Sequence, residues 1–327
     1  MKKRIEYIDV YRGIGIIFMI MGHIYFGKLF DIFIHAFHMP MFFIISGYLF
    51  STKNVDFKTF IKKKSKQLLV PYIVFGVFHL IIYILMNLNS IDNITSRTYA
   101  LFFMPTDSMP ISGALWFLLS LFFADIMYYF IIKTNNKIVR TIISLVIASI
   151  GILISYFFRL PYGMDVAMVA VFLMNIGSYI KEYKDKIFNI NIFIMILLGI
   201  LDVVLIFING MVGFKSGIYS NVLLFFINAI VSSIIILYIS NLICNIKLNK
   251  FKLYNYFKDL LIYIGSNSIC YLIFNQLVIM VVLKVFEFLH IPTNYYVKVL
   301  VIPIVLFLLY IINKIFNTKR LKVLIGK

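Results

Sequence analysis

A chain of 327 residues that is 62% hydrophobic and only 13% charged, with a mean hydropathy of +0.99, is excluded from the soluble globular class, whose members carry about twice that share of charge. The net charge of +18 does not point to nucleic acid either. The basic residues stand in small groups between apolar segments, not along one face, so a lipid bilayer is the expected partner and nucleic acid is not.

The chain opens on Lys2-Lys3-Arg4 ahead of an apolar run, which resembles a signal peptide. Asp9 and Arg12 interrupt that run and no small-residue cleavage site follows, so an uncleaved first span is expected. Ten spans are predicted, over about 7–29, 34–51, 67–88, 112–132, 138–158, 163–181, 187–208, 218–243, 260–285 and 295–316. They are predicted as helices because an open strand leaves its backbone groups unsatisfied in lipid. The fold class expected is therefore all-α, a polytopic integral membrane protein forming one domain over residues 1–327. Only a short basic tail follows the last span, so no soluble C-terminal domain is expected.

Alternating the connections places 24 Lys and Arg on one side of the membrane and 6 on the other, with Arg12 inside the first span. The richer side is cytoplasmic by the positive-inside rule, and both termini belong to it. Cys244 falls at the cytoplasmic end of one span and Cys270 inside another, so no disulfide is expected.

The first span carries three ionisable residues, Asp9, Arg12 and His23. Each costs several kcal/mol in a bilayer and needs a reason. Eleven residues at about 100° each amount to roughly three turns, so Arg12 and His23 share a helix face about 16 Å apart along the axis. Asp9, one turn before Arg12, lies near the same stripe. The stripe should face a bundle interior, with Arg12 near the cytoplasmic side and His23 near the outer side. The next span returns from the outer side, which brings His38 to the depth of His23. His35 reads as an interfacial residue.

Farther along, Lys62-Lys63-Lys64-Ser65-Lys66 precedes the third span and Pro71. Such a cluster anchors lipid headgroups or, through Lys63 and Lys66, holds phosphate as point charges. The longest outer loop, 89–111, leads into Trp116, the sole tryptophan. An aromatic-belt anchor is the plain reading of Trp116. Asp165 and Asp202 fall toward the outer half, and Asp125 toward the inner half, where it caps or pairs. No phosphate-cradling glycine loop, metal-ligand cluster or nucleophile elbow is present in the sequence.

Several of these stretches resemble one family, the acyltransferase-3 membrane O-acyltransferases. Arg12 and His23 fit its basic residue, ten residues, then histidine. His38, Pro40, Phe42, Phe43, Ser46, Gly47 and Tyr48 fit its second-span pattern. The basic stretch running into Pro71-Tyr72, Leu115-Trp116-Phe117-Leu118, and Gly265-Ser266-Asn267-Ser268 fit as well. The resemblance covers all ten spans. Two positions depart from it: lysines stand before the third span where arginines are frequent, and Asn275-Gln276 stand where a histidine is frequent.

The resemblance implies an O-acetyltransferase that takes acetyl from cytoplasmic acetyl-CoA, with no bound cofactor or metal. A sugar hydroxyl of a surface polysaccharide or lipid-linked glycan would receive it on the outer side of a bacterial plasma membrane. Arg12, Lys63 and Lys66 would hold the donor's phosphates. His23 would act as general base or transient acyl carrier, suited by an ordinary pKa of about 6.5. His38 would orient it, Asp9 would hold Arg12, Ser46 would give structural support, and Trp116 and Asp165 would meet the acceptor. The competing classes are a multi-span transporter and a non-catalytic acyl-transfer subunit. No repeated halves with matching broken spans support the transporter. The acceptor and the oligomeric state are not readable from the residues.

Overall fold

A computed structural model describes residues 5–52, 55–246 and 252–327. Lys2-Lys3-Arg4, Lys53, Lys247 and Lys250, all counted in the charge asymmetry, lie outside the described residues. In chain order the helices are α1 (Glu6–Ile24), α2 (Lys28–His35), α3 (Pro40–Leu49), α4 (Phe57–Lys64), α5 (Val70–Met86), α6 (Ile91–Phe102), α7 (Trp116–Ile131) and α8 (Lys137–Phe157). There follow α9 (Met164–Glu182), α10 (Lys184–Phe188), α11 (Ile192–Asn209), α12 (Val222–Asn245), α13 (Lys252–Ser266), α14 (Ser268–Phe288) and α15 (Tyr295–Phe316). The only strands among the described residues are β1 (Val212–Gly213) and β2 (Ile218–Tyr219), which pair with each other.

The protein is all-α, 79% helical, and its described residues include ten helical stretches long and apolar enough to cross a membrane. Each predicted span has a counterpart, but the boundaries move for physical reasons. The second stretch runs from Lys28 to Leu49 and is broken between α2 and α3. Pro40, at the first position of α3, offers no N–H to the turn before it, so the helix restarts there. The third stretch starts at Phe57, ten residues earlier than predicted. The basic cluster is therefore helical, and a π turn at Ser65–Leu69 joins α4 to α5. Such a turn absorbs the donor that Pro71 lacks.

The ninth predicted span, 260–285, is two helices. Asn267 separates α13 from α14, and its side-chain amide donates to the Tyr263 carbonyl at 2.8 Å. That bond replaces the backbone donor of a continuing helix. The connection 89–111 also contains a helix, α6, which the sequence reading left as loop.

The described chain divides into two units. One comprises Met1–Phe50, Ile176–Val212 and Tyr219–Tyr271, and the other Ser51–Asn175, Gly213–Ile218 and Leu272–Lys327. In the first unit α1 is the central helix and lies along α13, α12, α2 and α3. Its buried face carries Ile8, Val10, Tyr11, Ile16, Met19 and Ile20. In the second unit α7 is buried over most of its length and packs on α4 and the π turn.

Candidate functional site

The first unit gathers three histidines around the end of α1. Arg12 and His23 sit on one unbroken helix, both half-buried. The α1 helix ends one residue past His23, and the chain reverses through Tyr25 (φ 61°) and Gly27 (φ 110°) into α2. Gly22 faces α2 closely: a β-carbon there would lie 3.5 Å from Ile34 and 3.9 Å from the His35 ring. The turn at residues 36–39 then presents His38 to the same region. His23 and His35 both lie within electrostatic range of His38.

The imidazole of His38 is buried and fixed. Its Nδ1 lies 2.9 Å from the Ile34 carbonyl, which also receives the backbone N–H groups of Phe37 and His38. A carbonyl only accepts, so Nδ1 carries the proton and Nε2 is the lone-pair nitrogen of the neutral ring. The His35 and His38 rings meet edge to face at 4.9 Å. His35 Nδ1 in turn lies 2.9 Å from the Asp31 carbonyl and 3.2 Å from the Asp31 carboxylate. Such a group can accept a proton, pass it between rings and stabilise the charge that results. Asp31 is the member the sequence reading did not single out, and His35, read there as interfacial, stands beside His38; the i, i+4 spacing of Asp31 and His35 was the available signal.

Around α1 the other expected residues fall as follows. Asp9 is buried on the first turn. Ser46 donates its hydroxyl to the Phe42 carbonyl at 2.7 Å, a bond within its own helix. Cys244 and Cys270 are not joined in a disulfide. Among the described residues, no group of three or more His, Cys, Asp and Glu is arranged to hold a metal ion.

In the second unit, Lys62, Lys63 and Lys66 are exposed on α4 and the π turn, whereas Lys64 turns inward. Its ammonium lies 2.9 Å from the wholly buried carboxylate of Asp125 on α7. We expect Lys64→Met to destabilise the protein by about 3–5 kcal/mol, because it leaves a buried carboxylate without its counter-charge. Adding Asp125→Leu should recover most of that loss, and unfolding of the parent and the two variants in detergent measures both changes.

Asp165 and Trp116 also belong to this unit. Asp165 is buried and accepts from Arg159 Nε at 2.5 Å. Trp116 is only 3% exposed and meets Phe214 edge to face at 6.1 Å. That burial corrects the aromatic-belt reading. The indole packs against protein, and its partner stands almost a hundred residues later in the sequence.

A family model described as an acyltransferase domain matches residues 5–313 of the chain. No curated protein and no solved structure matches it.

Proposed function

Since the chain belongs to the acyltransferase-3 family of membrane acyltransferases, we propose that it moves an acetyl group from cytoplasmic acetyl-CoA to a sugar hydroxyl of a surface polysaccharide or lipid-linked glycan. The observation that supports this reading most is the clustering of His23, His35 and His38 at one end of α1, with Arg12 about 16 Å away along the same helix. An acyl transfer needs a base for the attacking hydroxyl and a cation for the donor's phosphates. That one helix offers both at separate depths.

In this reading the sidedness follows the Lys and Arg asymmetry, with the Arg12 end of α1 and both termini facing the cytoplasm of a bacterial cell. CoA enters from that side, its phosphates held by Arg12, Lys63 and Lys66, and its thioester reaches toward His23. The acceptor hydroxyl approaches from the outer side and gives its proton to His23 Nε2 or Nδ1 as its oxygen attacks the thioester carbon. The CoA thiolate leaves and takes up a proton. If an acyl-His23 forms first, the hydroxyl attacks that carbon and the imidazole is the leaving group. His38 orients His23 or shares the proton, Asp9 steadies Arg12, and Trp116 and Asp165 contribute to the acceptor side.

The purified full chain in proteoliposomes, given acetyl-labelled acetyl-CoA and a surface-glycan extract, is expected to place label on glycan oxygen. Labelled donor that is consumed without any glycan ester, or is untouched, would overturn the reading. A second expectation concerns the exposed lysines. Lys66→Ala should raise the KM for acetyl-CoA about three- to tenfold with little change in kcat, since a lost point-charge contact weakens donor binding in the ground and transition states alike. Steady-state kinetics on the parent and Lys66→Ala measures the split.

A further inference from the structure

Of three cations in the second unit, Arg97 on α6 and Arg159 in a connecting segment lie within electrostatic range of the third, Lys215. Lys215 sits in the short turn between β1 and β2. The turn is clamped: Arg159 Nη2 donates to the Lys215 carbonyl at 3.0 Å, and Gly217 (φ 67°) packs against Ser155 and Arg159. The clamp directs the ammonium toward Gly113, where a β-carbon would lie 3.2 Å from Lys215 Nζ and 3.5 Å from the Gln276 amide oxygen. A glycine at 113 keeps that space open.

The charges there do not balance. Arg159 is paired with Asp165. Arg97 donates to the Met109 carbonyl at 3.2 Å and lies over the Tyr83 ring. Lys215, half-buried, forms no direct ion pair among the described residues. Asp107 attracts it from within electrostatic range, while Arg97 and Arg159 repel it. Burial and those two guanidinium groups hold the Lys215 ammonium below its ordinary pKa, with Asp107 opposing. A partly desolvated cation next to two others is unfavourable unless an anion completes it.

We propose that Lys215 and Arg97 bind a phosphate or carboxylate group carried by the acceptor, so that the acceptor is an anionic glycan. The assignment to the acceptor rests on the acyl-transfer reading above; the anion site itself does not. Lys215 supplies a compact point charge and Arg97 a planar donor, the pair of groups that phosphate and carboxylate recognition uses.

Trp116 provides the readout, because it is the sole tryptophan and packs on Phe214, the neighbour of Lys215. The full chain in phosphatidylcholine nanodiscs is titrated with glucose 1-phosphate and, separately, with methyl glucoside. The expected result is a saturable change in tryptophan fluorescence with glucose 1-phosphate alone. Lys215→Gln should weaken it at least about tenfold, and Lys215→Arg should stay within about threefold of the parent. Thermal melting of both variants keeps a folding defect separate from a binding loss. No response in the parent, an equal response to methyl glucoside, or an unchanged affinity in folded Lys215→Gln would overturn the site. Loss of the glucose 1-phosphate response when phosphatidylglycerol is added to the discs would reassign the anion to a lipid headgroup and overturn the acceptor assignment. No acyl transfer is measured, so this test and the labelled-acetyl test fail independently.

Discussion

Replacing His23 with alanine is expected to abolish acyl transfer while the protein remains inserted and folded. His23 is half-buried near the end of α1, so removing its ring takes away little of the packing that fixes the helix. The buried face of α1, from Ile8 through Ile20, is untouched. Loss of a general base costs about 10²–10⁴ in rate, and loss of an acyl carrier removes the route altogether. Label transferred from acetyl-CoA to glycan, measured beside a melting curve, separates activity from stability. Retention of full transfer by folded His23→Ala would falsify the role given to this imidazole. His35→Ala should do less, because His35 acts on the cluster through His38 and is itself anchored to Asp31.

How far the sequence carries the fold depends on what a local window can see. The ten apolar stretches are local, and each has a helical counterpart. The phase of Arg12 with His23 is also local, and α1 runs unbroken through both. By contrast, α6 was read as loop because Asp92, Asn93, Thr95, Ser96, Arg97 and Thr98 dilute its hydropathy. Thr95 and Thr98 nevertheless donate back to carbonyls one turn earlier, within a regular helix. The break at Asn267 was invisible to an apolar average that counts one asparagine among many hydrophobic neighbours.

Partners distant in sequence were not legible at all. Asp202 could not be ranked among the acids by periodicity; its carboxylate accepts from Ser232 at 2.5 Å, thirty residues on. Asp125 was expected to cap or pair, yet nothing local selects Lys64 from among four clustered lysines. Lys215 stood only as one of six cations on the poorer side, and its neighbours come from two other connections, Arg97 and Asp107 from 89–111 and Arg159 from the link between α8 and α9. The pairing of Asp31 with His35 escaped in a different way. The Asp31–His35 spacing was on the page, but an aspartate next to the predicted start of a span reads as a loop residue until α2 is seen to begin at Lys28.

Gly265→Val should be among the most destabilising single changes in the protein, at about 3 kcal/mol or more. The reason lies in how α13 meets α1. A β-carbon at Gly265 would overlap the Asp9 carbonyl and come within 2.8 Å of the Gly13 nitrogen. One at Gly13 would overlap the Leu261 carbonyl. The two helices thus touch backbone to backbone, the close approach that small residues permit within membranes. In a free helix, alanine is favoured over glycine by about 1 kcal/mol. Here the obstacle is main chain, which cannot rotate aside, so even Gly13→Ala should destabilise. Gly199 on α11 is the control: its β-carbon would meet only Ile235 Cδ1 at 3.9 Å, and Gly199→Ala should be neutral or slightly stabilising. Melting in detergent ranks the variants. Parent-like stability of Gly265→Val would mean that α1 and α13 do not cross in this way. Because α1 carries Arg12 and His23, pushing it off α13 should cost activity and stability together, whereas His23→Ala should cost activity alone. That contrast separates a residue that holds α1 in place from one proposed to take part in the transfer.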